Sequence, residues 1–87
     1  MNLTKKQRMI LKTLVAGGSY EKEHPGRHMD LDQIIKKVPY EVTKPAIQFS
    51  LRSLKEKGLI KKSGYQKRRG ASRCLWVITD KGSLYLS

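Results

Sequence analysis

The chain is short of several things, and each shortage narrows what it can be. One of its 87 residues is cysteine, Cys74, so no internal disulfide can form and no thiolate cluster can hold a metal. Hydrophobic runs are brief. Lys5, Lys6, Arg8 and Lys12 interrupt every apolar stretch near the N-terminus, so no secretory leader is expected there. Nothing approaches the roughly twenty apolar residues of a membrane span. Repeats, low-complexity tracts and a dividing linker are missing as well. So are a phosphate-cradling glycine loop, a nucleophile paired with a base and an ordered ligand set, which argues against an enzyme and against a cofactor. His24 and His28, with Glu21 and Glu23 nearby, fall short of a structural metal site because no cysteine completes a shell of four ligands. They read as part of a flexible surface loop. A lone cysteine fits a reducing compartment, and the expected location is the cytoplasm.

Acidic residues are the other scarcity. Seven Asp and Glu face nineteen Lys and Arg, a formal charge of +12 with a pI near 10.2. So large an excess on so small a body implies a polyanionic partner, with nucleic acid the simplest. Charge alone would also suit an anionic lipid surface or plain solubility. Its distribution decides for nucleic acid and against a membrane: Lys61, Lys62, Lys67, Arg68, Arg69 and Arg73, six of the nineteen, fall within thirteen residues.

What is present is a clear helix pattern in the middle of the chain. Residues 43–57 carry Thr43 for an N-cap, Pro45 in the first turn and Gly58 where a left-handed C-cap is wanted. Ile47, Leu51 and Leu54 make a core stripe. Away from it, at about 100° per residue, lie Pro45, Gln48, Phe49, Arg52 and Ser53. Arg can fork to guanine and Gln to adenine in a major groove, so Gln48 and Arg52 are candidates for base readout. Thr43 and Lys44, at the helix start, are candidates for positioning phosphates. Phe49 has three uses open to it: a thymine methyl, packing under the following hairpin, or a protein interface.

Earlier in the chain, residues 4–16 read as a helix with Thr4 as cap, Gln7 at the capping-box position and a core face of Ile10, Leu11, Leu14 and Val15. Its cations are either a solvated face or a supplementary contact to a nucleic-acid backbone. Residues 17–29 are a polar loop. Asp30 and Gln33 start a helix over residues 30–38, buried through Leu31, Ile34, Ile35 and Val38 and halted by Pro39. Tyr40 either packs on the helix pair or offers its hydroxyl to a phosphate. Residues 59–79 change to strands around a basic loop at 63–72. In the last strand Cys74, Trp76 and Ile78 alternate with Leu75 and Val77, so both faces are apolar. One belongs to the core; the other needs cover from the C-terminal segment, the first helix or a second subunit. Residues 80–86 form a last short helix capped by Thr79.

This order of elements resembles the winged helix-turn-helix family. The residues that carry the likeness are Leu54-Lys55-Glu56-Lys57-Gly58-Leu59-Ile60, the wing Lys67-Arg68-Arg69-Gly70 and the exit Trp76-Val77-Ile78-Thr79-Asp80-Lys81-Gly82. It spans residues 3–86. The resemblance implies an α+β domain over residues 1–87, with a three-helix core, a two- to three-stranded antiparallel wing and a short C-terminal helix. It implies double-stranded DNA as partner and transcriptional regulation by operator occupancy. Small fimbrial regulators of the same type carry a similar Arg-Arg-Gly wing followed by Trp. The branch that binds left-handed DNA uses Asn and Tyr on its recognition helix and a proline in its wing, whereas Gln48 and Arg52 stand here and the wing has no proline. The DNA-contacting set expected is therefore Thr43, Lys44, Pro45, Gln48, Phe49 and Arg52 from the helix, with Lys67, Arg68, Arg69 and Arg73 from the wing. A winged-helix interaction subunit or inhibitor in a larger replication or transcription complex, and an RNA-binding module, are the alternatives. A homodimer would have to use the first helix, the wing strands or the C-terminal tail.

Overall fold

Residues 3–68 and 70–86 are described by the computed structural model, the side chains of Pro25 and Arg68 excepted. Four helices and a three-stranded antiparallel sheet make an α+β winged helix. Helix α1 spans Lys5–Ala16. Its first turn is closed by a reciprocal box: Gln7 N–H donates to the Thr4 hydroxyl at 3.1 Å and Thr4 N–H to the Gln7 side-chain carbonyl at 3.2 Å. Two orphan N–H groups are satisfied together, which fixes where the helix begins. Helix α2, Leu31–Lys37, starts on the same device, Asp30 with Gln33, and ends ahead of Pro39, which disfavours helical backbone at the residue before it.

Helix α3 spans Lys44–Glu56. Thr43 accepts the Ala46 N–H at 3.4 Å, a loose cap, and Pro45 occupies the first turn, where a missing N–H costs nothing. Gly58 follows at φ +77°, a conformation other residues adopt only with strain. It lets Leu59 N–H bond back to the Leu54 carbonyl at 3.1 Å and sends the chain into the sheet.

The core lies between these three helices and the sheet. Ile10, Leu11, Leu14, Ile34, Ile47, Leu54 and Leu59 are wholly buried, with Leu51, Ile60 and Ile78 almost so. Each such side chain contributes about 1.5–3 kcal/mol by leaving water. The i, i+4, i+7 stripe of α3 supplies three of them, Ile47, Leu51 and Leu54, so the orientation of α3 about its own axis follows from its sequence.

Strand β1 is Met29–Asp30, β2 is Ile60–Arg68 and β3 is Ala71–Ile78. The order is β1-β3-β2, with β3 in the centre. Met29 pairs with Trp76, and Ile60 with Ile78. The basic segment expected to be a loop over 63–72 is mostly strand, since β2 continues to Arg68 and pairs with Ala71. Gly70, just before β3, is a turn residue at φ +79°. A bulge between Lys62 and Gly64 breaks the β2–β3 register once, and such an extra residue bends the strand and sharpens its twist.

The second apolar face of β3, which carries Leu75 and Val77, is buried. Leu75 and Val77 are 2% and 0% exposed, and the segment between Gly17 and Met29 crosses over them. Glu21 N–H donates to the Ile78 carbonyl at 3.2 Å, and its carboxylate reaches Lys61 of β2 at 2.7 Å. Lys61 is the register partner of Val77, so this ion pair spans the central strand. Farther along, His28 Nδ1 meets the Ser63 hydroxyl at 2.8 Å. Ser19, wholly buried, donates to the Trp76 carbonyl and accepts Met29 N–H at 3.1 Å. The polar segment is therefore a fitted strap and not a free surface loop. Its hydrophilic side chains satisfy backbone groups at the β1 edge, and His28 is buried, only 4% exposed.

Helix α4, Asp80–Leu86, closes the domain. Thr79 accepts the Gly82 N–H at 3.1 Å and donates to the Gly58 carbonyl at 2.7 Å, tying the start of α4 to the end of α3. Tyr85 and Leu86 pack against the core, while Leu84 is 74% exposed.

Candidate nucleic-acid interface

One open groove, about 550 Å³ in volume, runs between α3 and the sheet. Helix α3 contributes Lys44, Gln48, Leu51, Arg52 and Lys55; the sheet contributes Lys62, Ser72, Arg73, Cys74 and Trp76; Asp30 and Leu31 close one end. The floor is apolar and the rim is basic. On a helical projection at about 100° per residue, Lys44, Lys55, Gln48 and Arg52 fall on the flank beside the core stripe, turned toward the wing. The polar flank of α3 and the cationic hairpin thus face a shared space.

The field in this groove is felt by Cys74. Burial pushes its thiol above the usual range, while the ammonium groups of Lys62 and Lys55 pull it down. Lys62 also lies over the Trp76 ring, 5.6 Å from its centre, so the indole is core on one side and lid to a cation on the other. Trp76 is only 9% exposed and belongs to the core cluster.

The expected contact residues are not all gathered here. Lys44, Gln48, Arg52 and Arg73 line the groove. Pro45 and Phe49 lie on the outermost ridge of α3, with Phe49 73% exposed. Thr43 is exposed and engaged as the cap of α3. Lys67 is exposed on β2 beyond the groove, the backbone of Arg68 ends that strand, and Arg69 lies outside the described residues. Ser53, expected on the outer face, is turned the other way: its hydroxyl accepts from the Gln7 side chain of α1 at 3.2 Å. Tyr40 packs on α1, donating to the Lys6 carbonyl at 3.3 Å with the Lys6 ammonium 5.6 Å above its ring.

Sequence reasoning passed over three participants. Lys55 has an angular position beside Gln48 that places it on the groove flank. Lys62 enters through its pairing with Trp76, which a linear pattern does not reveal. Asp32 lies in the first turn of α2, where sequence position alone shows no more than a charge that suits the helix dipole. Its carboxylate meets Arg73 at 2.7 Å and Lys44 at 3.6 Å, joining the helix-turn-helix to the wing at the groove's edge. Among the described residues no three His, Cys, Asp or Glu come together as a metal-binding set, and no helix is long and apolar enough to cross a membrane.

The family model for the ribonuclease R winged-helix domain matches residues 8–86. Among solved structures the fold is similar to a zinc-responsive MarR family member, ZitR of Lactococcus lactis. The TM-score is 0.73 at 23% identity, over 99% of this chain and 50% of that one, so the chain spans half of that protein's length. It is also similar to a PadR family transcription regulator from hypervirulent Clostridium difficile R20291, with a TM-score of 0.69 at 16% identity, over 95% of this chain and 80% of that one. At these identities the likeness is one of fold. A search of curated proteins gives no match.

Proposed function

The chain belongs to the ribonuclease R winged-helix domain family, and from that premise and its cationic groove we propose that it binds double-stranded DNA with sequence preference and regulates transcription by occupying an operator. The observation that carries this reading is the convergence of Gln48 and Arg52 with Lys62 and Arg73 on one groove. In the proposed complex α3 enters the major groove, where Gln48 and Arg52 read base edges, and the β2–β3 hairpin lies over the adjacent minor groove. Lys44, Lys55, Lys62, Lys67 and Arg73 supply phosphate contacts. About six to eight neutralised phosphates would give log K against log salt a slope near −5 to −7. The protein would act by occupancy and not by chemistry. Similarity of fold to a transcription regulator supports this reading.

A second reading has its own support. The family takes its name from a ribonuclease, which favours RNA as the polyanion on the same basic surface. Selection of bound duplexes from a random-sequence pool, with structured RNA as competitor, separates the two. The DNA proposal expects an enriched motif that RNA displaces poorly, and a symmetric motif would indicate a dimer. No enrichment together with tight RNA competition would overturn it in favour of RNA.

A further inference from the structure

The groove's charge is not all available to a partner, because Asp32 holds two of its cations. Asp32 Oδ2 lies 2.7 Å from Arg73 Nη1, and Oδ1 lies 3.6 Å from Lys44 Nζ. The three residues come from three elements: the first turn of α2, the start of α3 and the central strand of the wing. Lys44 and Arg73 both line the groove. Two carboxylate oxygens divided between two cations reproduce what a phosphate offers in the same place, two anionic oxygens to two donors. The cluster is open to water, with the Asp32 and Arg73 side chains each 38% exposed and that of Lys44 57%. Exposed ion pairs of this kind are weak and exchange readily with solvent anions.

Resting on the DNA-binding reading above, we propose that Asp32 is a specificity-determining residue, an internal stand-in for phosphate that withholds Lys44 and Arg73 from indiscriminate backbone contact. Non-specific affinity for DNA comes almost wholly from phosphate neutralisation. A carboxylate that occupies two cations therefore lowers affinity for any duplex. Among the described residues no carboxylate is paired with Gln48 or Arg52, the residues proposed for base readout, and Asp32 leaves their contribution intact. The ratio of specific to non-specific binding rises through the difference in how the two kinds of duplex meet the cluster. A correctly seated duplex presents a phosphate to the cluster and displaces the carboxylate; a misplaced one leaves it closed. The other acid at the groove, Asp30, is buried and accepts the Gln33 N–H as the cap of α2.

The test compares the wild type with Asp32→Asn, which keeps the size of the side chain and removes its charge, on a short mixed-sequence DNA duplex between about 50 and 200 mM salt. The variant is expected to bind several-fold tighter at the low end, with a slope of log K against log salt steeper by about one for each cation freed. In an Arg73→Ala background the same substitution should lose most of that gain, which a merely structural role for Asp32 would not produce. Thermal melts of all four proteins verify folding. An unchanged or weaker Asp32→Asn, beside a wild type with a steep slope, overturns this inference and leaves the DNA-binding proposal standing. A wild type with a slope near −1 sinks both.

Discussion

Arg52 of α3 and Arg73 of β3 line the same groove although they reach it from different layers of the fold. The arrangement suits a division of labour between a helix that reads and a hairpin that grips. Arg52→Ala is expected to relax preference at one base position, costing about 1–3 kcal/mol against the preferred duplex and little against others. Lys67→Ala is expected to weaken every duplex alike and to make the salt slope shallower by about one. Equilibrium titrations of both variants on matched and mismatched duplexes check this. Uniform losses in both would remove base readout from α3.

Ser19 ties the strap to the sheet. Its hydroxyl serves the Trp76 carbonyl and the Met29 N–H, all within buried backbone. Ser19→Ala leaves both groups without that partner and is expected to cost about 1–3 kcal/mol in urea denaturation. A change within a few tenths of a kcal/mol would mean that water or a shifted backbone replaces the hydroxyl.

Glu21 makes part of the fold's stability depend on acid. The hydrogen bond from Lys61 holds its carboxyl below the ordinary value of 4.5, helped by the Asp80 backbone N–H and the nearby charges, against a small opposing effect of burial. A carboxylate with a depressed folded pKa stabilises the fold fully above its unfolded value. That contribution is lost as pH falls through the folded one. The wild type should therefore exceed Glu21→Gln in denaturant midpoint at neutral pH, and the difference should shrink in acid below about pH 4. A difference that persists unchanged in strong acid would contradict this.

Gly82 sits in α4 where that helix presses on the sheet. A Cβ there would meet the Leu59 carbonyl and come within 2.8 Å of Ile78 Cγ1. Backbone cannot yield as a flexible side-chain tip can, so Gly82→Ala is expected to lower stability by about 1–3 kcal/mol through overpacking. It exceeds the gain that alanine brings to a helix interior, roughly 1 kcal/mol. A melt at or above the wild-type temperature would show that α4 rides over the sheet more loosely.

Much of the architecture was legible because it is written locally. The boxes at Thr4–Gln7 and Asp30–Gln33, the cap at Thr43 and the left-handed Gly58 each act within a few residues, and the stripe of Ile47, Leu51 and Leu54 turns α3 toward the core. What escaped depends on contacts across the chain. The strap over Leu75 and Val77 is polar in composition, yet it is held by backbone bonds to residues far along the sequence. Ser53 is drawn to α1 by Gln7, which periodicity alone cannot show. At the groove, the cations Lys44 and Arg73 were visible as charges, but their shared carboxylate on Asp32 appears only once α2 and the wing are side by side.

The most direct test of a shared surface is a backbone-amide NMR titration of the protein with a short DNA duplex. Residues around Gln48 and Arg52 on α3 and residues from Lys67 to Arg73 on the wing should shift together, in one binding step with one affinity. Shifts confined to the cationic face of α1, or to the wing with α3 untouched, would contradict the proposal that helix and hairpin hold the same duplex.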